Sequence, residues 1–327
     1  MTTGKPTFEN VSLVEPAKPS RVSRLKTHFR TWWWAHLVAL SIIVLVITLP
    51  LVYVGYPNIA QDEIDKSTLS VLELTISEPS PDGFQLYQKQ IIGSRSIFHP
   101  RIHEFSSEVG LGGASSSFAT VTIPGMVARD NTALTVQQWV PLANRTAFTD
   151  FAIAALTQET FGLSIFGKPK LKLGGLPTIT VTYQKLVTLT GFNNLKGFKV
   201  VSMLFDSNLP NGNNAKGTVY IPNPTLVTLS LGTLTMDLSS NGTFLGNATV
   251  NDLVLKPGNN TVPMLSALDQ ERLIGIISEL PESTYRIPLT VVGKSSVYDG
   301  QEIPYFTAAF SATTLQIELD VLDVLGG

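Results

Sequence analysis

Two histidines, His99 and His103, are the residues after position 57 whose type and spacing could support chemistry. They lie in the stretch Phe98-His-Pro-Arg-Ile-His-Glu104. An extended strand would place positions 99 and 103 on one face, where imidazole nitrogens could bind a metal. Pro100 argues against a helix, and neither a His-Glu-x-x-His sequence nor a second cluster accompanies the pair. Metal binding, pH sensing in an acidic compartment and an ordinary loop position stay open, and we expect the ordinary loop.

Other catalytic signatures are absent from the sequence. The glycine-rich stretch Gly110-Leu-Gly-Gly-Ala-Ser-Ser-Ser117 lacks the Lys-Ser/Thr ending and the strand–helix context of a phosphate loop, which favours a flexible hairpin or lid. No Gly-x-Ser-x-Gly elbow is present, and the chain contains no cysteine, which excludes thiol catalysis and thiolate metal sites. We therefore predict a non-catalytic protein without a cofactor or a metal.

The element that positions the rest of the chain is an apolar run, which we predict as a transmembrane helix over residues 32–56. Residues 35–54 carry no charge, and about 20 helical residues match the ~30 Å hydrocarbon core of a bilayer. Three tryptophans, Trp32–Trp34, lie at one end, and Tyr53 and Tyr56 lie at the other, as is typical of lipid–water boundaries. The alternative is a cleavable signal peptide, although its apolar region would be shorter.

Charge differs on the two sides of this run. Residues 1–31 carry six basic and two acidic side chains, which leaves 17 basic (23 − 6) and 23 acidic (25 − 2) residues beyond it. The positive-inside rule predicts a disordered basic cytosolic tail over 1–31 and a type II single-pass protein whose body lies in a lumen or outside the cell. A net charge of −6 on the body argues against nucleic-acid binding. Four glycosylation sequons agree with this side: Asn144, Asn241, Asn247 and Asn259.

The periodicity beyond the apolar run is mainly that of strands. Apolar residues alternate over 71–76, 119–123 and 134–138. Over 144–160 the spacing changes to three or four residues, which predicts one helix with Asn144 or Thr146 as its cap. A second helical pattern covers 268–280. An alternation that runs through Tyr305, Thr307 and Ala309 to Leu315, Ile317 and Leu319 predicts a strand. The expected fold is mainly β.

A near-constant offset between the two halves indicates a duplication. Asn131, Gly167 and Pro177 match Asn260, Gly293 and Pro304 at offsets of 129, 126 and 127 residues. We therefore predict two tandem sandwiches, over 65–190 and 195–323, each with one packed helix. The stretch Gly191-Phe-Asn-Asn-Leu-Lys-Gly197 is the predicted junction.

One motif in the second half is more specific. Asn223 and Pro224 interrupt a strand pattern that continues to the turn at Gly258 and Asn259, and a proline there removes a ladder donor, which marks an edge or a bulge. This pattern resembles the late-embryogenesis-abundant group 2 sandwich. Together with the anchor, the tandem arrangement and the 191–197 junction, it resembles the uncharacterised fungal membrane-protein family related to the vacuolar protein named for termination of autophagy. The resemblance is strongest over 186–262, and the first repeat lacks a clear Asn-Pro pair.

That resemblance implies β-sandwiches with a packed helix, a vacuolar membrane address and a lipid held in an apolar groove. We expect a non-catalytic protein that binds or transfers lipid at the vacuolar membrane, with the bilayer, a lipid ligand or a membrane protein as its partner. The alternative is a structural, adhesion or regulatory scaffold whose solid sandwiches bind a protein or a wall polymer. The strand pattern fits both, and an apolar groove would distinguish them.

Overall fold

Strands dominate the computed structural model of this chain, which describes residues 21–94, 96–279 and 286–320. Strands account for 53% of the residues and helices for 25%, and an apolar helix precedes the sheets. The prediction of a mainly β fold behind an N-terminal apolar helix is thereby confirmed. Residues 1–20 of the predicted tail lie outside the described residues.

The N-terminal unit, Met1–Tyr56, contains the helix α1 (Arg21–Pro50), followed by a π-helical segment at Leu51–Gly55. It supplies a helix that is long and apolar enough to cross a membrane, with none of its apolar window buried in the protein. The π-helical segment directly follows Pro50, whose missing N–H and ring disturb the regular hydrogen-bond ladder. Residues 21–31, predicted as part of a disordered tail, are helical.

The second unit, Pro57–Gly327, contains the sheets. Its helices are α2 (Tyr56–Lys66), α3 (Arg145–Thr157), α4 (Gln270–Glu279) and α5 (Pro304–Ser311), with a 3-10 turn at Asn193–Leu195. The described strands are β1 (Thr68–Ser80), β2 (Gly83–Gly93), β3 (Arg101–Ile102), β4 (Phe105–Leu111), β5 (Ser117–Ile123), β6 (Met126–Val127), β7 (Thr132–Pro141), β8 (Thr160–Gly167), β9 (Lys170–Lys172), β10 (Ile179–Thr180), β11 (Tyr183–Thr190), β12 (Lys199–Phe205), β13 (Ala215–Asn223), β14 (Val227–Ser240), β15 (Thr243–Leu255), β16 (Gly258–Leu268), β17 (Arg286–Tyr298), β18 (Gln301–Glu302) and β19 (Thr314–Asp320).

The same strand order occurs in both halves of this unit. In the first half, the sheet β11-β8-β4-β5 meets the strands β7-β2-β1 at an isolated bridge between Ala119 and Leu142. In the second half, the continuous order is β19-β17-β14-β15-β16-β13-β12. Helices α3 and α4 follow the equivalent strands β7 and β16. This recurrence supports the duplication, whereas the predicted domain boundaries stay predictions because both halves belong to one compact unit.

Strand β14 joins the two halves. Its first residues pair in parallel with β1, as in Leu74 with Val227, and its later residues pair antiparallel with β17. The change of partner occurs near Gly232, which has a φ of +67° and interrupts the register with β15. A Cβ at this position would lie 2.2 Å from the carbonyl oxygen of Val297, so the site requires glycine.

Helices from the two halves meet in an aromatic cluster. Phe148 of α3 stacks on Phe84 with 5.3 Å between ring centroids and meets Tyr305 of α5 edge-on at 4.8 Å. Helix α3 begins at its predicted cap, because Asn144 Oδ1 accepts a 3.0 Å hydrogen bond from the backbone N–H of Ala147. The junction is also packed, with Phe192 buried in the same core.

Residues 304–311 correct the sequence analysis, because they form helix α5 instead of the predicted strand. The alternation of Tyr305, Thr307 and Ala309 suggested a period of two. The buried positions are instead 305, 306, 309 and 310, which is the spacing of one helical face. Pro304 occupies the first turn, where its fixed φ favours a helix start.

Candidate functional site

The interior of the second half is closed. Leu238 of β14 and Leu289 and Val291 of β17 are only 2–3% exposed. The cavity within this half has a volume of about 20 Å³ and is lined mainly by aliphatic and phenylalanine side chains. That volume holds about one water molecule, whereas ligand pockets measure roughly 300–1,000 Å³. An acyl chain therefore does not fit into this cavity.

The interior of the first half is more open. Leu163 and Ile165 of β8 occupy the positions of Leu289 and Val291 at the offset of 126 residues, yet both are partly exposed. Their neighbours in the register are partly exposed as well. Position 161 of β8 meets the ring of Phe151 in α3, so positions 163 and 165 point toward the same interior side. We call this set the inner apolar surface: Val109, Leu111, Leu163, Ile165 and Val187.

Two polar side chains border the inner apolar surface. Strand alternation places Tyr183 and Lys185 on the same face of β11 as Val187. Burial raises the pKa of Tyr183 to about 12, and its ring lies edge-on to Phe105 with 6.2 Å between centroids. Burial also lowers the pKa of Lys185, an effect that the nearby charge of Asp65 opposes. An ammonium and a phenol therefore border the inner apolar surface.

Helix α2 is fixed to the first half. The side chain of Gln61 bonds both the backbone N–H and the carbonyl oxygen of Thr182, each at 2.8 Å. Lys185 Nζ donates to the carbonyl oxygens of Asp65 and Ser67 at 2.8 and 2.7 Å. Ala60 and Ile64 pack on the inner face of a small sheet, β10-β9-β3-β6, whose core residues are Ile102, Ala128, Leu171 and Val181. Residues 57–66 therefore form an ordered part of this half.

The four motif residues carried over from the resemblance lie together and have structural roles. Asn223, the last residue of β13, pairs with Gly258, the first residue of β16. Pro224 directly follows Asn223, and Asn259 directly follows Gly258. Asn223 is 2% exposed; its Nδ2 donates to the carbonyl oxygen of Val227, and its Oδ1 accepts from the N–H and hydroxyl of Thr225. All its bonds serve the turn into β14.

The partners of Gly258 and Asn259 agree with this structural role. Gly258 has a φ of +93°, which favours glycine. Asn259 Oδ1 accepts a 2.7 Å bond from the hydroxyl of Tyr220. The motif thus shapes one end of the second half, and nothing in its geometry forms a binding site.

The four sequons differ in accessibility. Asn241 is exposed in the turn between β14 and β15, and Asn259 is exposed at the start of β16. Asn144 is partly buried and caps α3. Asn247 pairs with Asp237 on one side and Ala267 on the other, and its Oδ1 is buried. Asn241 and Asn259 therefore present exposed side chains, whereas the side-chain oxygen of Asn247 is buried.

The two candidate histidines are exposed and lie apart from the inner apolar surface. His99 Nδ1 is 3.1 Å from the carbonyl oxygen of Ala128, and His103 follows β3. Over the described part of the chain, no group of three or more His, Cys, Asp or Glu side chains could hold a metal. Gly110–Ser117, the other chemical candidate, connects β4 and β5 as the predicted hairpin.

Comparisons with known proteins identify little. Residues 116–238 match the model of a protein family described as a protein of unknown function (DUF3712), and this match spans both halves. No curated protein matches the chain.

Similarities to solved structures are weak. The periplasmic chaperone SfaE is 12% identical, with 77% of this chain and 98% of that chain covered and a TM-score of 0.18. A bacterial adhesin from Mobiluncus mulieris is 7% identical, with 70% and 81% covered and a TM-score of 0.19. The CupB6 tip adhesin from Pseudomonas aeruginosa is 8% identical, with 61% and 88% covered and a TM-score of 0.19. These TM-scores are too low to support an argument about fold or function.

Proposed function

We propose that this is a membrane-anchored, non-catalytic protein whose first half holds an acyl chain of a lipid, while its second half serves as a closed scaffold. The observation that carries the proposal is the exposure of the inner apolar surface. Leu163 and Ile165 are partly exposed, whereas Leu289 and Val291, their equivalents, are 2–3% exposed. Aliphatic surface left open to water forgoes about 25 cal/mol per Å², which a bound chain would recover.

The polar border of this surface favours an amphipathic ligand. An acyl chain would contact Val109, Ile165 and Val187, and its polar end would lie near Tyr183 and Lys185. The ammonium of Lys185 already donates to two backbone carbonyl oxygens, so it supplies at most one further hydrogen bond. Binding would therefore depend mainly on apolar contact.

Location and orientation form part of the same proposal. The excess of basic residues over 1–31, before the apolar run, and the sequons beyond it support a type II protein with its body in a lumen. The resemblance to the fungal family related to the termination-of-autophagy protein supports the vacuolar membrane as the site. A membrane protein that shares this bilayer is a further candidate partner.

The second half favours the alternative function, a structural or adhesion module. The cavity of about 20 Å³ among its described residues leaves no room for an acyl chain, so we expect a partner at its outer surface. A protein or a wall polymer is the expected partner in that case.

Native mass spectrometry of the full chain in detergent, mixed with phosphatidylcholine, tests the acyl-chain proposal. We expect one retained lipid in the natural protein and a loss of it in Val187→Trp, because the indole would fill the inner apolar surface. Leu186→Trp is the matched control, since Leu186 is 69% exposed and points to the opposite side of β11. No retained lipid in the natural protein, or equal retention in both variants, would refute the acyl-chain site and favour the structural module.

A further inference from the structure

The outer face of the small sheet collects basic side chains. Arg101 of β3 pairs with Val127 on one side and Lys172 on the other, so all three share one face. The bond from His103 N–H to the carbonyl oxygen of Lys170 (2.9 Å) extends the same register. The bond from Ala128 N–H to the carbonyl oxygen of Pro100 (2.9 Å) extends it on the other side, toward positions 99 and 129. We call this set the basic face: His99, Arg101, His103, Arg129, Lys170 and Lys172.

The cations of the basic face lack acidic partners. Within the described residues, neither Arg101, Arg129, Lys170 nor Lys172 forms a salt bridge, although six such bridges occur elsewhere. The register positions that form the face contain no carboxylate, and the acidic residues that adjoin it in sequence are Glu104 and Asp130. The body as a whole has 17 basic and 23 acidic residues, so this face concentrates positive charge on an otherwise acidic unit.

Exposed apolar side chains adjoin the basic face. Ile97 is 84% exposed and Phe98 is 46% exposed in the segment that leads into β3, and Val127 within the face is 41% exposed. The bond of His99 Nδ1 to the carbonyl oxygen of Ala128 attaches this segment to the sheet. Cations beside exposed isoleucine and phenylalanine form the combination that binds lipid–water interfaces, where headgroups meet the cations and acyl chains meet the apolar side chains.

We infer that the basic face and its apolar rim, Ile97 and Phe98, bind the anionic headgroups of a bilayer. Charge complementarity favours an anionic surface, and the apolar rim favours a lipid surface over a soluble polyanion. Chain connectivity favours the same occupant, because α2, which packs on the other side of this sheet, begins within two residues of the apolar run. The inference rests on the membrane anchor of the proposed function, but it does not require the acyl-chain site.

The absence of cysteine from the chain permits a direct test. The full chain carrying Ile97→Cys is labelled with an environment-sensitive fluorophore and reconstituted into vesicles of phosphatidylcholine, with or without phosphatidylserine. We expect a blue-shifted, brighter emission only with phosphatidylserine. A label at Ile274→Cys is the control, because Ile274 is 64% exposed on α4 in the second half; its emission should not change.

Charge variants identify the groups responsible. Arg101→Gln with Lys170→Gln should weaken docking by about fivefold for each charge removed, since a basic residue near an anionic surface contributes roughly 1 kcal/mol. Lys196→Gln with Lys256→Gln removes the same charge from exposed positions of the second half and should leave the emission unchanged.

Three outcomes would overturn the inference. In the first, the label at position 97 keeps its aqueous emission on anionic vesicles. In the second, its emission shifts equally on neutral vesicles. In the third, its emission shifts with protein density, which would indicate contact with a second copy. Alkaline extraction of the same vesicles measures anchorage separately, so loss of docking with retained anchorage refutes the basic face alone. Loss of anchorage would refute the membrane part of the proposed function.

Discussion

The two halves of the body share one strand order but differ in what fills their interiors. In the second half, the edge strands β12 and β19 come into contact, and α5 packs on β17, so the apolar residues of β17 are enclosed. In the first half, the strand equivalent to β12 is β1, and it bonds to β14 of the other half. The equivalent interior therefore keeps partly exposed aliphatic side chains. A shared topology thus does not imply a shared interior, because edge pairing decides whether the interior closes.

The halves also differ in what connects equivalent strands. Between β8 and β11 the chain forms β9 and β10 of the small sheet, whereas between β17 and β19 it forms α5. The small sheet binds α2 on its inner face and presents the basic face outward. Helix α5 instead contributes Tyr305 to the aromatic cluster with α3. These insertions provide the first half with the basic face and the second half with additional core.

The largest difference in stability between the halves should appear when Leu163 and Leu289, which occupy equivalent positions, are each replaced by alanine. Leu289→Ala should lower the free energy of unfolding by about 2–5 kcal/mol, because it removes buried contacts and leaves a cavity. Leu163→Ala should cost less, about 1–2 kcal/mol, because Leu163 is already partly exposed. Denaturant unfolding of the full chain in detergent measures both, and equal losses would contradict the difference between the interiors.

A substitution at Gly232, where β14 changes its partner from one half to the other, should lower the free energy of unfolding nearly as much. Gly232→Ala should cost at least about 2 kcal/mol, because alanine disfavours the positive φ and its Cβ would meet the carbonyl oxygen of Val297. Gly212→Ala is the matched control, with a φ of +75° and no atom within 4 Å of the added Cβ. It should cost about 1 kcal/mol, and an equal loss in both variants would show that the close approach at Gly232 contributes nothing.

A titration should report on Tyr183 in the first half, which is partly buried. Burial raises the pKa of Tyr183 to about 12, so the folded state favours the neutral phenol. Its contribution to stability is fully present below pH 10 and is lost as the pH rises from 10 toward 12, by up to about 1.4 kcal/mol per pH unit. Tyr183→Phe should be less sensitive to alkali over this interval in unfolding experiments. An unchanged alkaline slope would show that Tyr183 is not buried as described.

Glycosylation should have the smallest effect on stability and reports on orientation. If the body lies in a lumen, Asn241→Gln should remove one glycan step from an electrophoretic ladder, because its turn is exposed. Asn247→Gln should remove none, because its amide oxygen is buried within the sheet. An unglycosylated natural chain, expressed in secretory cells, would contradict the luminal orientation.

Local patterns predicted much of the fold. The apolar run, the period-two stretches and the Asn144 cap each depend on residues near in sequence, and the structure contains the corresponding elements. The first part of the strand predicted from Tyr305 to Leu319 was wrong, because the buried residues of 304–311 include Phe306 and Phe310 and follow one face of a helix. Its later part, from Leu315 to Leu319, is present in β19. The predicted second helix is present as α4.

The candidate surfaces were harder to predict, because they depend on distant pairings. Val187 and Leu163 are neighbours only through the register of β11 with β8, and their exposure depends on how β1 pairs with β14. The basic face combines three segments that are separate in sequence. The spacing of His99, Arg101 and His103 predicts only one of these segments, because alternate strand residues share a face. The sequence suggests His99 and His103 as possible metal ligands, whereas Arg101 between them contributes a permanent positive charge to the basic face.

Photocrosslinking with a phosphatidylcholine that carries a diazirine on its acyl chain tests the central claim most directly. The full chain is irradiated in vesicles, and the adducts are mapped by peptide mass spectrometry. The account predicts adducts on β8 and β11, at Ile165 and Val187, in addition to those on the apolar helix, and none on the equivalent strand β17. Adducts confined to the apolar helix, or equally frequent on β8 and β17, would contradict it.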